Sequence, residues 1–197
     1  MTLLVKDLDR IAVNNGTTIK RMRNAVERAL SKATDDHMSE GSTWYATANA
    51  EAVRLSEQSG YTVEQVAAAI SHLSPRLHWV RNLEAAESLV LTGDARAVMS
   101  RGLAKAKESL KSDNPVETFS PGALKTTAFY HNIVGDLDQV TVDVWASRLV
   151  NVDEKTLGRV GMYQAVSHAY RLAAKSFDIK PAEAQAIGWT IVRGRSD

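Results

Sequence analysis

The run Val66-Ala67-Ala68-Ala69-Ile70 carries no charge, and Thr62 and Gln65 stand ahead of it at capping-box spacing. A helix that is apolar all round has no solvent face, so this run predicts a buried central helix. The rest of the chain repeats the helical period. Thr17-Thr18 offers a cap for a helix through Ile19, Met22, Ala25, Val26, Ala29 and Leu30, whose spacing makes one apolar stripe. Ser42-Thr43 is expected to open a second helix, stopped by Gly60. Pro75 interrupts the chain at Ser74-Pro75-Arg76, and the next helix runs from about Trp79 to Leu91 and ends at Thr92-Gly93. Gly102 precedes a short basic helix from Leu103 to Leu110, and Lys111-Ser112-Asp113-Asn114-Pro115 is a loop. Pro121 suits the first turn of a helix to about Val134, and Thr141 or Asp143 caps the one after it. Tyr163 to Phe177 and Pro181 to Val192 supply the last two. Gln139 to Val144 is the only strand-like run. The expected class is all-α, with about ten helices.

Composition narrows the function. The 197 residues suit a single domain or two closely packed lobes, and 44% hydrophobic content supports a packed core. Cysteine is absent, which excludes disulfides, thiolate zinc sites and cysteine-ligated iron–sulfur clusters. The five histidines show no ligand spacing, so no metal and no cofactor are expected. The N-terminus lacks a signal pattern and no apolar run reaches membrane-spanning length, so a soluble cytoplasmic protein is the expectation. Net charge is only +1, yet it is unevenly spread: residues 1–32 are net +4, residues 33–71 net −5 and residues 72–112 net +3. Such asymmetry permits a basic face for an acidic partner.

Four stretches then follow in order: Ala67-Ala68-Ala69-Ile70-Ser71-His72-Leu73-Ser74, Gly102-Leu103-Ala104-Lys105-Ala106-Lys107, Ser120-Pro121-Gly122-Ala123-Leu124-Lys125-Thr126, and Val142-Asp143. Together, from about Val63 to Val150, they resemble the core of the helix-hairpin-helix DNA glycosylases of the endonuclease III type. The resemblance implies a two-lobed helical fold without an iron–sulfur cluster, one lobe of residues 1–62 plus 151–197 and the other of 63–150. It implies duplex DNA with a modified or damaged base as partner. The hairpin departs from the family pattern: Gly122 to Lys125 is three positions where the family has about four, and Leu124 falls near the family's second glycine. The backbone contact to a DNA phosphate is thereby altered or lost. Gly41-x-x-Trp44-Tyr45, Leu73-Ser74-Pro75 … Trp79 … Asn82 and Gln185-Ala186-x-x-Trp189 also resemble small proteins of actinobacterial phages; that resemblance implies a bacterial host if the chain is phage-encoded and supplies no chemistry. A more distant resemblance is to phage amino acid–DNA transferases.

The resemblance gives Lys125 and Asp143 catalytic roles. Cleaving an N-glycosidic bond builds positive charge on the deoxyribose, which a carboxylate at Asp143 stabilises. Lys125, if desolvated, attacks the sugar and forms a Schiff base, which leads to strand cleavage. On spacing alone the two are a surface lysine and a helix N-cap aspartate. Arg76 stands where the family places the residue that fills the gap left by a flipped base. Gly122, Lys105, Lys107 and Lys111 are expected to meet DNA phosphates, or the lysines merely solvate a helix. Ser74, His78, Trp79, Trp44 and Tyr45 are base-pocket candidates, although for the tryptophans packing is the simpler role. Three functions follow: a base-excising glycosylase, with or without abasic-site lyase activity; a base-hypermodification transferase on the same scaffold; and a non-catalytic DNA- or protein-binding module.

Overall fold

The computed structural model of the protein describes residues 4–194, and every regular element among them is helical. In chain order these are α1 (Val5–Asn14), α2 (Ile19–Leu30), α3 (Asp35–Ser59), α4 (Val63–Leu73), α5 (Trp79–Thr92), α6 (Ser100–Ser109), a 3₁₀ turn (Pro115–Thr118), α7 (Leu124–Ile133), α8 (Val144–Leu149), α9 (Glu154–Leu157), α10 (Met162–Ser176) and α11 (Pro181–Arg193). None is long and apolar enough to cross a membrane. The chain divides into two compact units. The described residues up to Trp44, with those from Leu137 onward, make the first, and Tyr45–Asp136 make the second.

In the first unit α10 packs on α1, α2 and α11, and α11 also meets α2 and α8. Met22, Val26, Met162, Tyr170 and Ile187 are fully buried at that junction. Thr18 caps α2 by accepting the Arg21 N–H at 3.0 Å. Gly41, inside α3, lies so close to α11 that an added Cβ would stand 2.5 Å from the Ile187 Cα.

The second unit is built around α4. Thr62 accepts the Gln65 N–H at 3.2 Å while Gln65 Oε1 accepts the Thr62 N–H at 2.9 Å, a reciprocal capping box. Every residue from Val66 to Leu73 is buried. Helices α5, α6 and α7 and the 3₁₀ turn pack around it, which the uncharged run requires. α5 ends at Gly93, whose φ of 81° only glycine takes cheaply. Gly102, in the first turn of α6, approaches the end of α4 so closely that a Cβ would lie 2.6 Å from the His72 carbonyl oxygen.

Four sequence expectations are corrected. α3 begins at Asp35, not at Ser42-Thr43: the Thr34 hydroxyl accepts the His37 N–H at 3.3 Å, and Asp35 and Asp36 suit the positive end of the helix dipole. Thr43 lies inside α3, where its hydroxyl donates to the Ser39 carbonyl at 2.8 Å. α6 begins at Ser100, so Gly102 is within it. α7 begins at Leu124, because the Ala123 N–H bonds to the Ser120 carbonyl at 2.8 Å and draws Pro121-Gly122 into a turn before the helix. Gln139 to Val144 forms no strand: the Tyr163 hydroxyl bonds its backbone instead, donating to the Val140 carbonyl at 2.8 Å and accepting the Val142 N–H at 3.1 Å.

Gly41→Ala and Gly102→Ala should each lose about 1–3 kcal/mol in chemical denaturation. The gain of ~1 kcal/mol in helix propensity is outweighed, because the obstructing atoms are backbone and have nowhere to go. Gly122→Ala, with nothing within 4 Å of the added carbon and no left-handed backbone, should leave stability nearly unchanged. Equal effects at all three positions would refute the close-approach account.

Candidate functional site

Asp143 is the N-cap of α8, and its Oδ1 accepts the Ala146 N–H at 2.7 Å. The carboxylate is half-buried. Two tyrosines of α10 hold the backbone on either side of it. Tyr163 bonds Val140 and Val142, as above, and the Tyr170 hydroxyl donates to the Ala146 carbonyl at 3.1 Å. Burial pushes both phenols above their usual range, with the Asp143 charge adding to the effect. They therefore stay neutral hydrogen-bonding groups. A carboxylate fixed at a helix start, on a backbone clamped from both sides, is preorganised to face developing positive charge.

Lys125 lies in the first turn of α7, in the second unit, and is exposed. The protein therefore does not itself provide the desolvation that a nucleophilic amine needs. The two residues emphasised by the resemblance thus belong to different units.

Beside Lys125 is a cavity of ≈ 430 Å³ whose lining includes His72, Arg101, Gly102, Lys105, Gly122 and Thr126. The first turns of α6 and α7 both contribute to it, and neither helix is capped by a side chain. His72 is only 8% exposed. Its ring stacks on Phe119 with centroids 4.0 Å apart. The Thr118 hydroxyl donates to the Pro115 carbonyl at 2.7 Å, so its oxygen must accept from His72 Nε2 at 2.8 Å. That chain of bonds fixes the proton on Nε2 and leaves Nδ1 as the acceptor. Burial, with the nearby Lys105 charge adding and Glu108 opposing, lowers the His72 pKa to about 4.

The remaining candidates are dispersed. Arg76 is exposed in the loop after α4 at φ 67°, a left-handed conformation that costs an arginine ~1 kcal/mol. Lys105 pairs with Glu108 at 2.7 Å and Lys107 with Asp94 at 2.8 Å, while Lys111 is exposed beyond the end of α6. Ser74 turns its hydroxyl back onto the Ser71 carbonyl at 2.9 Å. His78 is the exposed N-cap of α5. Trp79 and Tyr45 both pack edge-on to Phe129, with centroids 6.3 and 6.4 Å away. Trp44 packs edge-on to Trp189 at 6.1 Å. The aromatic candidates thus serve packing, half-buried at both tryptophans and buried at Tyr45. Among the described residues no group of three or more histidine or acidic side chains is arranged to hold a metal.

Sequence reasoning passed over His72, Arg101, Thr118 and the clamping tyrosines. Only His72 carried a signal, as the titratable group that follows the uncharged run of α4.

These features define an all-helical protein with a clamped helix-start carboxylate in one unit and a basic cavity in the other. The model of a family described as a family of unknown function (DUF7178) matches residues 9–196, and the chain belongs to that family. No curated protein and no solved structure matches it.

The buried His72 makes stability depend on pH. Its folded pKa, about 4, lies below the ordinary 6.5, so the unfolded chain binds the proton first as pH falls. Its contribution is complete above pH ~6.5 and is lost progressively towards pH 4, by about 2–3 kcal/mol. His72→Phe keeps the stack and should flatten this part of the stability–pH curve in urea titrations. A curve parallel to wild type would contradict the neutral buried imidazole.

Proposed function

We propose that the protein is a DNA-base-acting enzyme of helix-hairpin-helix glycosylase type, cleaving the N-glycosidic bond of a flipped modified or damaged base. The observation that carries this reading is Asp143, held by the Ala146 N–H on a segment that Tyr163 and Tyr170 clamp. As the bond between sugar C1′ and the base breaks, its electron pair leaves with the base and positive charge grows on the deoxyribose. The fixed carboxylate stabilises that charge without reorganising. Water then bonds C1′, and its proton passes to the carboxylate. The exposed Arg76, on its constrained loop, is suited to the gap left in the duplex. Lys105, Lys107 and Lys111 supply positive charge along α6 and just beyond it.

The exposure of Lys125 favours a role in phosphate contact over one as sugar nucleophile. It therefore also supports a second reading, a base-modifying transferase that uses a flipped base without breaking the glycosidic bond.

The test is incubation with duplexes carrying different modified or damaged bases, with mass spectrometry of both the DNA and the released base. Release should occur and fall about 10²–10³-fold in Asp143→Asn, which keeps the shape and capping ability of the residue. Borohydride should trap no adduct, or one that Lys125→Ala removes. A mass gain on the DNA with no released base selects the transferase. Full activity in Asp143→Asn would sink the assignment of the carboxylate.

A further inference from the structure

We propose that the cavity between the first turns of α6 and α7 binds a terminal phosphate group, a phosphomonoester. The inference stands apart from base excision, because it uses neither Asp143 nor the backbone segment that holds it.

Three kinds of positive potential converge there. Arg101 is exposed and makes no ion pair among the described residues. Lys105 is half-buried, with Glu108 balancing part of its charge. The third is the backbone. The N–H groups of residues 100–102 in α6 and 124–126 in α7 have no acceptor within their own helices, and no side chain caps either end. Each ten-residue helix also directs the positive end of its dipole to this place. No carboxylate lines the cavity among the described residues. A tetrahedral dianion needs donors from several directions, and two helix starts together with a guanidinium in the lining supply them.

His72 independently indicates a ligand and narrows its chemistry. It is more than nine-tenths buried and lines the cavity, and its Nδ1 has no hydrogen-bond partner among the described residues. Because Nε2 holds the ring proton for Thr118, Nδ1 presents a lone pair. Thr118 and Thr126 give their own hydroxyl protons to the Pro115 and Ala123 carbonyls and offer it none. An internal phosphodiester has no proton to share with that lone pair. A phosphomonoester does, since its second ionisation lies near pH 6. One proton between Nδ1 and a phosphate oxygen completes the site, whichever atom holds it.

The full-length protein is titrated with inorganic phosphate and followed by backbone amide chemical shifts and calorimetry. Saturable binding should shift the amides of residues 100–102 and 124–126. Arg101→Ala, at an exposed position that leaves the fold intact, should weaken it by about tenfold or more. Sulfate, a dianion with no proton to share at neutral pH, should bind more weakly than phosphate, and His72→Phe should erase that preference. A 5′-phosphorylated oligonucleotide that outcompetes its 5′-hydroxyl counterpart would mark a nucleic-acid end as the source. Displacement by a mononucleotide with no gain from the longer strand would mark a small phosphorylated metabolite. Either result supports the site. No saturable binding in the millimolar range, or binding indifferent to Arg101→Ala, overturns it. Should His72→Phe fail to fold, equal affinity for phosphate and sulfate in wild type overturns the assignment of a monoester.

Discussion

Contact between Gly102 and the His72 carbonyl sets how the second unit is arranged. A helix with no charge from Val66 to Ile70 has to be covered on every side. α6 covers the end of it at a distance that only a residue without a side chain allows. That approach brings the start of α6 beside His72. The turn Ser120-Pro121-Gly122-Ala123 delivers the start of α7 to the same cavity. The concentration of positive potential there thus follows from the burial of α4, since helices crowded around its end converge on it with their first turns.

The first unit solves a different problem. The segment from Val140 to Val142 is buried and belongs to no helix or strand. Buried backbone groups left without partners are costly, of the order of 1–3 kcal/mol each. One hydroxyl, that of Tyr163, satisfies two of them. Tyr170 does the same for the carbonyl of Ala146, whose N–H Asp143 caps. The rigidity around the aspartate is therefore a consequence of satisfying a buried stretch of backbone that lies outside any helix. Stability and the preparation of the carboxylate are served by the same hydrogen bonds.

The helices were legible wherever local chemistry decides. Thr18, the Thr62–Gln65 box and Gly93 appear in the structure with the roles that their side chains dictate, because a cap bonds to backbone within its own turn. The misplaced boundaries share one cause. Ser42-Thr43 has the residue types of a cap, yet Thr34 with Asp35 and Asp36 provides an earlier start, and Thr43 then bonds inside the helix. Pro121 has the right φ for a first turn, but the Ala123–Ser120 bond makes a turn there first. In each case two local solutions competed for the same backbone.

Asp143 could be picked out from the sequence because a helix-start aspartate is a local feature. The cavity could not. Arg101, His72, Thr118 and Thr126 are up to 54 positions apart, and nothing in their spacing brings them together. The sequence by itself determined that the chain would be helical, where most helices begin and end, and which one must be buried. Only the tertiary structure decided which helix starts would share a cavity, and that the proton of His72 would sit on Nε2. Those outcomes depend on packing around a carbonyl and on a hydroxyl that has already given its own proton away, contacts between residues that are remote along the chain.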